Sequence, residues 1–388
     1  MHAPSMCAAQ RAAATPDAFH DTTPGEYMTE TQLKTARRRL ILGISNVGFW
    51  VIVSATGVSW SLGGGVLSLM PADLLKVLCG AVAVQSVFDF AGGSFLMPHD
   101  EGATRRFFLP WVRGVITHSF LLCASGVLCY LNFKLSGGCC PAVLASTLAL
   151  FFLRRHVLRF VANVHTHMSS FAGCTLFAAN SSDPAFTGET CGVGRSAVIL
   201  IPEHWKASLS DAQLKIAVQR RLWQIENNVP ARALLSSVCW SLIGCKVGAL
   251  VLGFAGRSPQ EAVLLQCLWM TLWAFLGLLV LPTFSRASVF GADHAAAAKG
   301  FDVESWIRAF PSITGEDGDA RKLVQRVFYP IPSTRERIHA LSGEPKLPVL
   351  GNVARTNLFL SLATLTILGR CVHCNAGRPE LWVFPPTD

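Results

Sequence analysis

Long apolar runs separated by short basic clusters dominate the chain. Six runs, at 40–62, 74–97, 115–133, 137–153, 233–254 and 262–283, each approach the roughly 20 residues that a bilayer-spanning helix needs. The first, third and sixth contain no Asp, Glu, Lys or Arg. Asp89 interrupts the second and Lys246 the fifth. Ionisable groups inside a span face protein or water. These two are therefore expected to pair and fix helix packing, unless Lys246 snorkels; a transport pathway would carry more such groups.

Between the runs the periodicity changes. Ala185-Phe186-Thr187-Gly188 reads as a turn, and 196–202 (SAVILIP) as a buried strand. Ser210-Asp211-Ala212-Gln213 matches a capping box and opens a helix over about 211–228, which Asn227-Asn228-Val229-Pro230 stops. Leu214, Ala217, Val218, Arg221, Leu222 and Ile225 fall near one stripe of that helix, and Arg220 and Gln224 stack one turn apart. A second helix is predicted over 285–299 with Gly300 as its cap. Shorter ones are predicted at 303–310, ended by Pro311, at 317–328, and at 333–341 behind Ser333. Residues 355–369 are apolar but short, which favours a buried or interfacial helix over a seventh span.

Composition agrees with a membrane protein. Of 388 residues 51% are hydrophobic and 15% charged, against roughly 25% charged in soluble domains. The net charge of +9 gathers at the ends of runs, in Lys34/Arg37/Arg38/Arg39, Arg105/Arg106/Arg113 and Arg154/Arg155/Arg159. That is the positive-inside pattern. No basic face with a recognition motif accompanies it, so nucleic acid is not an expected partner. Three hairpins result, with 154–232 and 284–388 on one basic, cytosolic-type side. The expected fold class is mainly α: a polytopic membrane protein with about six transmembrane helices plus an α+β domain on the basic side. Its parts are a disordered segment 1–36, a four-helix region 37–153, a region 154–345 interrupted by the hairpin 233–283, and a C-terminal segment 346–388 with a short apolar helix. Residues 1–36 lack a secretory core, and Asp17, Asp21, Glu26 and Glu30 argue against a mitochondrial leader. The endoplasmic reticulum or plasma membrane is the expected location.

The thirteen cysteines follow no disulfide spacing, although a bond at Cys139-Cys140 stays open. Cys371 and Cys374 form a single C-x-x-C, a weak zinc or redox signal. His165, His167, His204 and His294 are read as separate surface histidines, with a displaced metal site as the alternative.

The order of segments over about 180–345 resembles the integral-membrane zinc metallopeptidases that include the CAAX prenyl endopeptidases and the heat-shock protease HtpX. DPAFTG resembles the strand-edge segment of that family, and LSDAQLKIAVQRRLWQIENN its catalytic helix. SRASVFGADHAAAAKG is similar to its second motif, keeping Ser285, Arg286, Ala292 and Asp293. IPSTRERI is similar to its third, keeping Pro332, Arg337 and Ile338. The resemblance implies a metallopeptidase-like domain around a membrane hairpin, and it places zinc ligands at Arg220, Gln224 and Val289. It also places a general base at Arg221 and a histidine at Ile331.

None of those five residues suits the chemistry. Zinc takes imidazole, thiolate or carboxylate donors. Arginine has no acceptor and stays protonated. Valine offers no donor, and one glutamine oxygen holds no zinc. The expectation is a membrane-embedded pseudopeptidase without catalytic residues or cofactor, contacting the lipid bilayer and binding a peptide or lipid in its cleft. The arginines carry two readings. Either Arg220 or Arg221 pairs with Asp211, Glu226 or Asp293 and ties the site shut, or Arg220, Arg221 and Arg286 form an anion pocket. The alternatives in function are an active metalloendopeptidase with zinc on relocated ligands, and a lipid- or solute-handling membrane protein.

Overall fold

The computed structural model describes residues 29–65, 69–94, 103–171, 174–181, 183–315, 325, 329–345 and 347–386. Four long helices come first: α1 (Glu30–Leu62), α2 (Pro71–Ser94), α3 (Ala103–Ser136) and α4 (Cys140–Ala162). A small sheet follows, made of β1 (Thr166–Phe171), β2 (Cys174–Ala179), β3 (Glu189–Cys191) and β4 (Val198–Pro202). Then come the short α5 (Trp205–Ser208), α6 (Asp211–Glu226), and the hairpin of α7 (Val229–Leu252) and α8 (Pro259–Ala298). The chain ends in α9 (Val303–Thr314), α10 (Thr334–Leu341), α11 (Val353–Leu360), α12 (Leu368–Cys371) and α13 (Pro379–Val383).

Among the described residues, α1, α2, α3, α4, α7 and α8 are long and apolar enough to cross a bilayer. Their burial pattern is that of a bundle with an apolar outside. Ile52, Val87, Phe120 and Leu250 are exposed, while Asn46, Ser54, Gln85, Ser237 and Gly244 point inward. Small and polar residues between helices, with apolar residues outside, is the arrangement that lipid favours. On the hairpin, Trp269 lies over Gly248 and donates to the Gly244 carbonyl at 2.9 Å, and Trp273 donates to the Trp240 carbonyl at 2.9 Å.

The sheet runs β1-β2-β4-β3, with β1/β2 and β3/β4 antiparallel and β2/β4 parallel. It stands at the end of α4, and α6 packs on β3 and β4. Gly188 takes φ +64°, and a Cβ there would collide with the Leu200 carbonyl oxygen. Glycine lets residues 183–188 lie flat against β4.

Several predicted boundaries move. Helix α1 starts at Glu30 behind a Thr29–Gln32 capping box, inside the stretch expected to be disordered. Residues 1–28 lie outside the described part. The sixth span and the predicted helix 285–299 are one continuous 40-residue helix, α8, because Pro282 removes a single hydrogen bond that flanking packing makes good. Helix α9 passes Pro311 and ends at Gly315. The predicted helix 317–328 lies outside the described residues apart from Gln325. Segment 355–369 is buried, as expected of its apolar character, but it is not one helix. Leu365 takes φ +62° and separates α11 from α12.

The largest difference is in the C-terminal segment. From Gly351 to Pro386 nearly every residue is buried, threaded among α1, α2, α3, α4, α7 and α8. Asp89 therefore pairs with Arg370 of this segment, with Gln85 donating to the same carboxylate at 3.1 Å. Lys246 is exposed and not its partner, which corrects the expected pair. Gly377 fits against α2 with φ +73°, where a Cβ would collide with the Gly93 amide and the Asp89 carbonyl. We expect Gly377→Ala to destabilise the protein by about 2–4 kcal/mol, from steric overlap and left-handed strain together. Thermal unfolding in detergent measures this, and a melting temperature equal to the native one contradicts the docked position of the segment.

Candidate functional site

Helix α6 carries the positions of interest. Ser210 Oγ accepts from the Gln213 amide at 3.2 Å, and Gln213 Oε1 accepts from the Ser210 amide at 3.0 Å, completing the predicted capping box. Its first turns bury Leu214, Ile216, Ala217 and Val218 in an apolar cluster with Trp205, Trp306, Ile307 and Phe310. That contact drives the helix into the domain, and its later turns follow. Arg220, Arg221 and Gln224 are all fully buried.

Helix α8 lies against this face. Arg220 Nε sits 2.8 Å from Asp293 Oδ1. Arg337 of α10 grips the same carboxylate in a fork, with Nε to Oδ2 and Nη2 to Oδ1 both at 2.8 Å. One carboxylate thus joins α6, α8 and α10 through two guanidinium groups. Planar, two-point pairing of this kind is the strong form of a charged hydrogen bond. Arg221 turns the other way. Its Nη2 donates to the Thr187 carbonyl at 2.6 Å, and its guanidinium lies 6.0 Å from the Trp205 ring centre. Asp293 is the partner found among the three carboxylates considered for the arginine pair.

The remaining motif positions surround this network. Val289, one turn before Asp293 on α8, is buried, and Ile331 is half-buried. Gln224 is one turn after Arg220, and both polar atoms of its amide lack a hydrogen-bond partner among the described residues. Arg286 pairs with Glu336 and donates to the Gln325 carbonyl at 3.1 Å. All three arginines considered for an anion pocket are buried and face protein acceptors. The residues at 220, 221, 224 and 289 do not fit a zinc ion.

The alternative ligands do not converge. His165 and His167 are exposed beside β1, and His167 Nε2 lies 3.7 Å from Glu203. His204 turns Nδ1 toward the Ser181 carbonyl at 3.3 Å, and burial holds its pKa below the usual imidazole value. His294 Nε2 meets the Ala340 carbonyl at 2.6 Å. Cys371 and Cys374 are both buried: the first bonds Gln85 Oε1 at 3.3 Å, and the second accepts from Arg355 at 3.1 Å. Cys139 and Cys140 are free thiols.

A second charged group joins Asp183, the first residue of DPAFTG, to C-terminal residues that no motif marks. Arg378 forks onto Asp183, with Nε to Oδ2 at 2.7 Å. Burial, the largest influence on Asp183, pushes its carboxyl up, but the Arg378 guanidinium brings the net value below the usual range. Glu380 lies in the same interior. Burial, and then the Asp183 charge, push it up to about 7. Nearby, Arg154 of α4 reaches Glu189 at 2.7 Å and the Val383 carbonyl at 2.7 Å, with its guanidinium 4.1 Å from the Phe384 ring centre. Arg154 belongs to the positive-inside pattern at the end of a run, yet it is 4% exposed. The available clue lay in Arg355, Arg370 and Arg378, isolated charges in an otherwise apolar segment that must find partners if they are buried.

No protein-family model matches this chain, and no curated protein matches it significantly.

Two outcomes follow from the charges. Asp293→Asn removes the carboxylate from between two buried guanidinium groups, and it should cost about 3–5 kcal/mol in thermal or denaturant unfolding. A loss below about 1 kcal/mol contradicts the shared pairing. For Glu380, folding raises the pKa, so the native state holds its proton to higher pH than the unfolded chain does. Its contribution is fully present below the unfolded value near 4.5 and is lost as pH rises through about 7. Glu380→Gln should therefore raise the melting temperature at pH 8, by up to about 3 kcal/mol in stability, and leave it unchanged near pH 4.5. Melting curves across this range test the sign, and a gain confined to acid pH contradicts it.

Proposed function

We propose that this is a membrane-embedded pseudopeptidase: a metallopeptidase-like frame with a binding or regulatory role and no zinc hydrolysis. One observation carries the reading. At the α6–α8 contact, where the resemblance places metal ligands and a base, the chain puts Arg220, Arg221, Gln224 and Val289, all buried. Arg220 and Arg337 occupy the Asp293 carboxylate between them.

The chemistry supports that reading. A zinc-bound water needs three donors and a base in reach. An arginine with a pKa above about 12 takes no proton from water near neutral pH. Two guanidinium groups also repel a divalent cation. What the network does instead is hold α6, α8 and α10 in register, leaving a rigid platform at the bilayer surface. Six apolar helices fix that platform beside lipid. A partner would be a membrane-borne peptide or lipid.

Chelation tests this directly. Protein purified in detergent without added metal should contain far less than one zinc per chain, and incubation with a strong chelator should leave its melting temperature unchanged. A structural zinc supplies several kcal/mol of folding free energy. Near-stoichiometric zinc together with a large chelator-induced drop in melting temperature would point to the relocated-ligand enzyme instead.

A further inference from the structure

An apolar cavity of about 280 Å³ lies between the middle turns of α1 and α8, at the basic-side ends of the apolar runs 40–62 and 262–283. Gly43, Ile44 and Gly48 of α1 face Leu278 and Pro282 of α8 across it. Ile44 is 55% exposed, so the cavity opens sideways toward the region a bilayer occupies. Its inner end is closed by α11, which carries Arg355.

Arg355 is only 6% exposed. Its Nη1 donates to Cys374 Sγ at 3.1 Å, and its Nε has no hydrogen-bond partner. Among the described residues, no carboxylate lies within ion-pair distance of it. The contrast with Arg154, Arg220, Arg286, Arg337, Arg370 and Arg378 is sharp, since each of those meets a carboxylate. Burying a guanidinium opposite a thiol is costly, and an anion at that point offsets the cost. The arginine is also held rigidly. The amide of its neighbour Ala354 donates to Ser285 Oγ at 2.8 Å, which pins the start of α11 to α8.

We propose that this cavity binds a single long-chain fatty carboxylate, with the tail between α1 and α8 and the carboxylate on Arg355. Three features select that occupant. The volume is roughly twice the ~150 Å³ cavity that holds benzene and falls just under the ~300–1,000 Å³ range of ligand pockets, which suits one chain and not two. A smaller space of mixed polar and apolar walls lies past Arg355, lined also by Phe310, Tyr329, Arg337 and His373, and is about 40 Å³. That volume is little more than one water's share of about 30 Å³, so it accepts a carboxylate and not a phosphodiester headgroup. A planar carboxylate also matches the unpartnered edge of a guanidinium. The tail lies at bilayer depth and the head at the basic, interfacial end, the natural posture of a fatty acid in a leaflet. The head end borders Arg337 of the Asp293 network, while the tail space between α1 and α8 lies apart from it, and the proposal does not depend on the pseudopeptidase reading.

The test uses the full chain in phosphatidylcholine nanodiscs, with palmitate and cetyl alcohol that each carry a diazirine at the tail end. Native protein should bind palmitate saturably and about tenfold or more tighter than the alcohol. Photolabel should map to 40–48 and 274–282. R355Q should abolish the preference for the acid. An added Cβ at Gly48 meets nothing within 4 Å, so Gly48→Leu fills the cavity while keeping the helix, and it should remove binding of both probes at an unchanged melting temperature. The Gly48 variant and the acid-to-alcohol ratio decide the matter even if R355Q fails to fold. Equal binding of acid and alcohol by native protein, label confined to other segments, or full palmitate binding by Gly48→Leu overturns the proposal.

Discussion

A guanidinium cannot be left in a protein interior without an answering acceptor. That constraint organises this structure more than any apolar contact does. Asp293 holds Arg220 and Arg337, Glu189 holds Arg154, Asp89 holds Arg370, Asp183 holds Arg378 and Glu336 holds Arg286. Each pair ties elements distant in sequence. Asp293 locks the basic-side helices together, while Asp89 and Asp183 fasten the C-terminal segment to α2 and to the entry of β3. Apolar packing supplies most of the cohesion, but in a lipid-facing bundle it does little to select one arrangement over another. The charged pairs make that choice, because any other docking would strand buried ions.

The same rule shapes the α6–α8 contact. A hydrolytic site keeps an open position for water and substrate. Here the space is spanned by a carboxylate shared between two arginines, and Arg221 turns away onto the Thr187 carbonyl. A contact built like this is rigid and closed. It contrasts with the cavity beside α1, where Arg355 meets no carboxylate within ion-pair distance among the described residues.

Much of the fold was legible in the sequence. The six apolar runs gave the six long helices, and the Ser210 and Ser333 capping boxes stand where the side-chain spacing put them. Asp293 and Arg337 were singled out by motif and meet in space. The C-terminal segment was not legible, because its burial depends on surfaces contributed by six long helices and no local period encodes that. Arg39 and Arg154 illustrate the difficulty: basic residues at span ends follow the positive-inside pattern, yet both are buried. Pro311 misled in the opposite direction. Local rules end a helix at proline, whereas packing carries α9 through it to Thr314.

Buried charge pairing between Arg220 and Asp293 couples α6 to α8. A double-mutant cycle on Arg220 and Asp293, read by equilibrium unfolding in detergent, measures that coupling apart from the cost of each single change. A favourable coupling of about 2 kcal/mol or more is expected of a close, desolvated ion pair. Strictly additive losses, with coupling below about 0.5 kcal/mol, would contradict it.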